Sequence, residues 1–377
     1  MKALKTRKIV HLTSVHVPFD TRIFEKMCAS AHAAGMQVVL VARHDGNDVI
    51  DGITLRGVKL PSSRPLRALF GGLKVCIAGY RENGDIYQIH DPELLPWSLV
   101  LRLLGKKIIY DMHENVPKAI TTKHWIPVPV RRFVSGAWKL LEHMMLWRMP
   151  VIFAEESYSV DYTWVKNKRV IMNMPKLDDL ASIEEPKRDV FTVGYLGAIA
   201  PERGSITMLK AVADMQQQGK RVGLLAIGRM SVEHEKQLRT FTRNRKTMNI
   251  GIEGFMRPTL AWRKMATCHA GLAMLSPIPN YLESYPTKIF EYMALGLPVI
   301  VSDFPLYRRV VETGRCGLCV VPDDVEKLKE AIAWLMEHPE EASLMGQRGR
   351  ELVQKKYNWK SEEQKLLEFY RVLLDQS

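Results

Sequence analysis

Residues 283–302 read Glu283-Ser-Tyr-Pro-Thr-Lys-Ile-Phe-Glu291-Tyr-Met-Ala-Leu-Gly296-Leu-Pro298-Val-Ile-Val-Ser302. Pro286 suits the first turn of a helix and Gly296 its left-handed cap, and Val299–Ser302 then reads as a strand. A helix running straight into a strand is one repeat of a parallel sheet wrapped by crossover helices. The same alternation extends outward from this stretch in both directions.

Two series of strands are expected. The first lies near Lys8–Thr13, Gln37–Val41, Ile53–Val58, Asp85–His90, Lys107–Asp111, Val151–Ala154 and Arg169–Met172. The second lies at Phe191–Leu196, Val222–Ile227, Asn249–Glu253, Gly271–Leu275, Val299–Ser302 and Leu318–Val321. Between them, MPKLDDLASIEEPKR turns acidic and proline-bearing and reads as a linker. The expected fold is α/β, with one Rossmann-like domain over residues 1–175 and a second over residues 190–357. Residues 358–377 form a helix expected to pack back on the first domain. Ligands of such sheets bind beyond the carboxyl ends of the strands, so two facing domains would share one cleft.

Bulk properties agree with this division. A chain of 377 residues exceeds one ordinary core. With 46% hydrophobic and 25% charged residues it is globular in composition, without low-complexity tracts. The apolar run of the first strand is short and broken by His11, Thr13 and Ser14, unlike a signal peptide. No run of 18 apolar residues occurs, so a cytoplasmic location is expected. Five cysteines do not suggest a disulfide framework, and Cys316-Gly-Leu-Cys319 reads as two buried small side chains. The net charge of +13 favours anionic partners. No nucleic-acid module accompanies it.

The start of the 286–295 helix offers backbone N–H groups and a positive dipole end, a ready site for a diphosphate. Glu291, more than one turn in, is placed to accept the hydroxyls of a ribose, and Glu283 in the preceding loop to reach a sugar. The pair of glutamates seven residues apart, followed by Ala-Leu-Gly-Leu-Pro-Val-Ile, resembles the retaining glycosyltransferases of family 4, which have the two-domain GT-B fold. That resemblance implies sugar contact by Glu283, ribose binding by Glu291 and phosphate binding by Pro286-Thr287-Lys288. A second match is Tyr195-Leu-Gly197-Ala198 with Arg203-Gly204. The family usually has Arg after the first glycine and Lys before the second. Here Ala198 takes the first place and Arg203 keeps charge at the second. Gly228, in Ile227-Gly228-Arg229, and the turn Glu253-Gly254-Phe255 end later strands and are weaker candidates for the nucleoside pocket.

In the first domain, Ser14-Val-His16-Val-Pro-Phe-Asp20-Thr-Arg22 stands where many family members have a glycine-rich loop. It resembles a branch found among bacterial capsule and polysaccharide enzymes. Asp20 suits an N-cap, and Arg22, ill-placed for the helix dipole, points to a phosphate or carboxylate partner. His90-Asp91-Pro92-Glu93 and Asp111-Met-His113-Glu114 end two further strands. The resemblance puts His113 near the transferred sugar. His16, Asp20, Arg22, His90, Asp91, Glu93 and Glu114 remain acceptor-side candidates, with N-capping an open alternative for Asp91.

The stretch 125–148 mixes aromatic with basic residues, as interfacial helices do, and two readings stay open: a helix at an anionic membrane, or a core helix. The resulting expectation is a metal-independent retaining transferase without a cofactor. It moves a hexose-type sugar from a nucleotide-sugar, UDP- or GDP-linked, to a glycan or lipid-linked acceptor in surface polysaccharide synthesis. Glu283, His113 and Arg203 are its expected catalytic group, and Gly197, Arg203, Gly228, Pro286, Thr287, Lys288 and Glu291 its donor site. The alternatives are a nucleotide-sugar epimerase of the same architecture and a weakened glycan-binding member. Nucleic acid is not an expected partner.

Overall fold

A computed structural model describes residues 6–375 apart from 61, 62, 64–69, 122–126, 181 and 246. The chain forms two compact units, residues 1–173 with 359–377 and residues 174–358. Unit 1 is built on the strands β1 (Lys8–Leu12), β2 (Gln37–Ala42), β3 (Asn47–Ile50), β4 (Ile53–Gly57), β5 (Ile86–Ile89), β6 (Lys107–Met112), β7 (Val151–Phe153) and β8 (Lys168–Val170). Their order is β3-β4-β2-β1-β5-β6-β7-β8. Every pairing is parallel except β3 with β4. The strands β1, β2, β5 and β7 are almost wholly buried, as sheets covered on both faces require.

Unit 2 has the order β11-β10-β9-β12-β13-β14, all parallel. Its strands are β9 (Phe191–Leu196), β10 (Val222–Ile227), β11 (Ile250–Glu253), β12 (Ala270–Ala273), β13 (Val299–Ser302) and β14 (Gly317–Val320). The Cys316-Gly-Leu-Cys319 stretch lies at β14, and burial pushes these thiols up to about 11 and about 12.

Three expectations need correction. The edge strand β3 is exposed and polar, so no hydrophobic alternation marks it; its signal is the Asp51-Gly52 turn, with φ of +51° and +77° at the two residues. The proposed linker is part of unit 2. Leu180 and Ile183 are buried there, and Lys187 Nζ donates to the carbonyls of Ala266 and Cys268 at 2.9 and 2.7 Å. Finally, the helix Val128–Met145 is no core helix, since only Glu142 and Met145 in it are buried. Trp125, which begins the basic-aromatic stretch, lies outside the described residues.

The helix Trp359–Asp375 belongs to unit 1. Trp359, Leu366, Phe369 and Tyr370 share a core with Ile23, Met27 and Leu40. Trp359 Nε1 donates to Ser30 Oγ at 2.9 Å, and the Tyr370 hydroxyl donates to Gln88 Oε1 at 2.5 Å.

Candidate active site

In unit 2 the chemistry gathers where β9 ends. Gly197 (φ +131°) and Gly228 (φ +156°) turn the chain after β9 and β10 so closely that a Cβ on Gly228 would lie 1.8 Å from the Gly197 carbonyl oxygen. Only glycine fits there. A Cβ on Gly197 would meet Lys288 Nζ at 2.9 Å. Lys288 stands in the first turn of the helix Thr287–Ala294, whose N-cap is Pro286 and which no side chain caps. Pro286 is thus one residue outside the helix rather than in its first turn. Gly296 ends it with φ of +71°.

Lys288 Nζ is buried, makes no hydrogen bond among the described residues, and lies 3.8 Å from the centre of the Tyr195 ring. Burial first, and then the charge of Arg203, hold its ammonium well below the ordinary lysine range, against the pull of Glu291. The Tyr195 hydroxyl donates to the Ala198 carbonyl at 2.6 Å. Arg203 follows on a short turn, Pro201–Arg203, its guanidinium 5.3 Å from the Tyr281 ring. The next residue, Gly204, has φ of +74°, and a Cβ there would strike the Met274 carbonyl at 2.2 Å. Two cations, two glycine turns and an uncapped helix start therefore share one small region, which suits a diphosphate.

In unit 1 the strand ends of β1, β5 and β6 carry a buried network. Arg22 donates through Nε to Asp111 Oδ2 at 3.1 Å and through Nη2 to Oδ1 at 2.7 Å. Asp111 Oδ2 also meets His90 Nδ1 at 3.0 Å and His113 Nε2 at 2.7 Å. The other nitrogen of His90, Nε2, lies 3.0 Å from His11 Nδ1. Burial lowers the pKa of both His11 and His90, so a neutral chain fits: His11 donates to His90, and His90 to Asp111. Burial alone would raise Asp111, but Arg22, His113 and His90 hold its carboxyl well below the usual range.

The carboxylate of Asp91 accepts from the Thr13 hydroxyl at 2.8 Å and the Ser14 amide at 2.6 Å. Glu93 accepts from the Ser14 hydroxyl at 2.7 Å. Asp20 accepts from the amides of Arg22 and Ile23 at 2.9 and 3.0 Å, the capping role open to it from sequence. His16 lies between Asp20 and Asp91 at 3.5 and 3.4 Å, its ring 4.8 Å from that of His113. Burial would lower the His16 pKa, but these carboxylates outweigh it and raise it. The protonated form thus favours folding: its contribution is complete below about pH 6.5 and lost as pH rises through the raised value. His16→Ala should therefore trail the parent in Tm by a few degrees at pH 6, and the gap should close as pH rises through the raised value in a thermal-melt series.

The structure thus brings Gly197, Gly228, Arg203 and Lys288 together, with Pro286 and Thr287 at the same helix start and Glu291 one turn farther in. Glu283 follows the short helix Pro279–Leu282 and is half-buried. His16, Asp20, Arg22, His90, Asp91 and His113 form the unit 1 cluster, with Glu93 joined through Ser14. Glu114 has no part in the hydrogen bonds described. Arg22 takes the carboxylate partner and is buried against it rather than open to an acceptor. Sequence reading missed His11, which looked like an ordinary strand residue, and Tyr195, whose ring supports Lys288. His90, Asp111 and His113 bring one ligand atom each within 4.8 Å of one another, but both oxygens of Asp111 already serve Arg22.

Residues 178–352 match the family described as "Glycosyl transferases group 1". The MMP alpha-(1->4)-mannosyltransferase of Mycolicibacterium hassiacum is 26% identical over 314 residues, covering 76% of this chain and 70% of that protein. In three dimensions the chain is similar to a sucrose-phosphate synthase from Thermosynechococcus elongatus, with a TM-score of 0.76 and 17% identity across 98% of this chain and 100% of that one. It is also similar to Anabaena HepE in complex with UDP-glucose, with a TM-score of 0.69 and 15% identity across 96% of this chain and 98% of that one. With its two α/β units, its glycine-lined cation site and these relatives, the chain is a glycosyltransferase of the GT-B fold that carries a group 1 glycosyl transferase domain over residues 178–352.

Proposed function

We propose that the chain transfers a hexose-type sugar with retention from a nucleoside diphosphate donor to a glycan or lipid-linked acceptor in surface polysaccharide synthesis. The observation that carries this reading is Lys288, whose buried Nζ has no hydrogen-bond partner among the described residues and is set between the Gly197 turn and the charge of Arg203. Such a group is costly unless an anion completes it. Lys288 thereby supplies the second cation that Ala198 does not. UDP is the first donor to test, because HepE binds UDP-glucose.

In this reading the bond between the anomeric carbon and the diphosphate oxygen breaks, and the electron pair leaves with the diphosphate. Arg203, Lys288 and the start of the helix Thr287–Ala294 stabilise that charge. Glu291 holds the ribose, while Glu283 and His113 fix the sugar as its carbon becomes cationic. The acceptor oxygen bonds from the face being vacated, and its proton passes to the departing oxygen. The cations make a divalent ion unnecessary, and the engaged oxygens of Asp111 leave it little capacity as a ligand.

No helix among the described residues is long and apolar enough to cross a membrane. We place the enzyme in the cytoplasm, with peripheral contact at an anionic membrane where a lipid-linked acceptor would lie. A screen of UDP-, GDP-, ADP- and dTDP-sugars by thermal shift and hydrolysis tests the donor site. Glu291→Ala should weaken donor binding and Glu283→Gln should lower turnover, each about tenfold or more. If neither change moves either quantity, the assignment fails. Release of nucleoside diphosphate only when an acceptor is present separates transfer from epimerisation.

A further inference from the structure

We propose that the outward face of the helix Val128–Met145, with the cavity at its carboxyl end, docks unit 1 on an anionic phospholipid bilayer, the cavity taking a lipid phosphate. This rests on the peripheral membrane contact above and names its surface. The helix is held to unit 1 along one stripe. Arg131 Nη1 donates to the Thr121 carbonyl at 2.9 Å, Ser135 Oγ to the Pro117 carbonyl at 2.8 Å, and the Tyr162 hydroxyl to Glu142 at 2.7 Å.

At 100° per residue, the opposite stripe carries Val130, Phe133, Ala137, Leu140 and Met144. Phe133 is 78% exposed, and Leu140 and Met144 are each 64% exposed. An apolar face of this kind is foreign to a helix that only meets water. Arg132, Lys139 and His143 run along its flank, all exposed. The helix's one acid, Glu142, is buried on the packed side. A second copy of the chain would bring the same uncompensated positive flank, whereas an anionic bilayer supplies the missing charge.

Trp147 continues the stripe beyond the helix and is 67% exposed. Beside it opens a cavity of about 470 Å³ lined by His143, Trp147, Arg148, Trp164 and Lys166, with no carboxylate in its wall. The His143 and Trp164 rings lie 4.0 Å apart. Arg148 has φ of +56°, a conformation uncommon for its type, and its guanidinium lies 5.1 Å from the Trp147 ring. Indoles at the interfacial level and cations beside them are the groups that receive a phosphate headgroup.

Co-sedimentation of the full chain with vesicles tests this, comparing phosphatidylcholine alone with phosphatidylcholine containing phosphatidylglycerol. Binding should require phosphatidylglycerol. Phe133→Ser with Met144→Ser should reduce it at least about tenfold, from lost apolar burial. Arg148→Glu with Lys166→Glu should reduce it by at least a similar factor, because two cations near the anionic surface are replaced by anions. Binding unaffected by the serine pair overturns the docking face, and binding lost with that pair but kept by the glutamate pair overturns the cavity's role. A concentration-dependent dimer that the serine pair dissolves makes a second copy the occupant and also overturns it. Donor hydrolysis without vesicles should be unchanged in both variants. Its absence in the parent chain, with vesicle binding intact, refutes only the transferase reading.

Discussion

Lys288→Met should lower turnover of the nucleotide-sugar by about 10²- to 10³-fold, the usual loss when one preorganised charge is removed from the leaving group. The same change should raise Tm. Nζ is buried with no hydrogen-bond partner among the described residues, and the face of Tyr195 offsets only part of the cost of burying and charging it. A methionine of similar length removes the charge and keeps the packing. Opposite movements of rate and stability are the signature of a group held ready for an anion. The pH dependence has a definite sign. Burial and Arg203 lower the pKa of Lys288, so an arriving diphosphate favours the protonated amine and binding is accompanied by proton uptake at Nζ. Donor affinity should therefore fall as pH rises through the lowered value, and the methionine variant should lose that slope. Steady-state kinetics, calorimetry in two buffers and a thermal melt read all three. Turnover within threefold of the parent would remove Lys288 from the site.

Asp111→Asn should destabilise the protein by about 3–5 kcal/mol, the cost of stripping one partner from a buried ion pair. Arg22 is 3% exposed, and its Nη1 already lacks a hydrogen-bond partner, so a neutral amide leaves a full charge stranded. Asparagine keeps one acceptor oxygen where Asp111 has two, so its NH2 must face either Arg22 or the pair His90 and His113. Denaturant titration measures the loss. Replacing both partners, Arg22→Met with Asp111→Leu, should recover much of it, because the charge is then gone rather than orphaned. The Asp111 carboxyl is held below its ordinary pKa, so its contribution is present above about pH 4 and is lost as pH falls. An asparagine variant as stable as the parent would show that the network is decorative.

The parallel sheets were readable because buried strands announce themselves as β-branched runs, and Val222–Ile227 and Val299–Ser302 fall where those runs lie. β3 escaped because its residues face water and carry no period, leaving only the Asp51-Gly52 turn as a clue. The donor-side residues were legible from spacing, since Pro286, Lys288, Glu291 and Gly296 sit on one helix and its cap. The Asp111 network was not. Apart from His113, two residues from Asp111, its partners His90 and Arg22 are 21 and 89 residues away, and sequence offers no local period for contacts made across strands. The helix Val128–Met145 shows a further limit: an apolar residue count cannot tell a core face from one turned outward, and only the packed partners of Ser135 and Glu142 decide it.

Unit 1 begins with β1 but takes the helix Trp359–Asp375 into its core, so its chain is interrupted by all of unit 2. During biosynthesis, residues 6–173 must wait for about 185 further residues to emerge before Trp359 can reach Ser30. Unit 2 is complete first. The nascent first sheet spends that interval without the helix side chains Trp359, Leu366, Phe369 and Tyr370 over Ile23, Met27 and Leu40, an exposure of apolar surface that favours aggregation until the chain is finished.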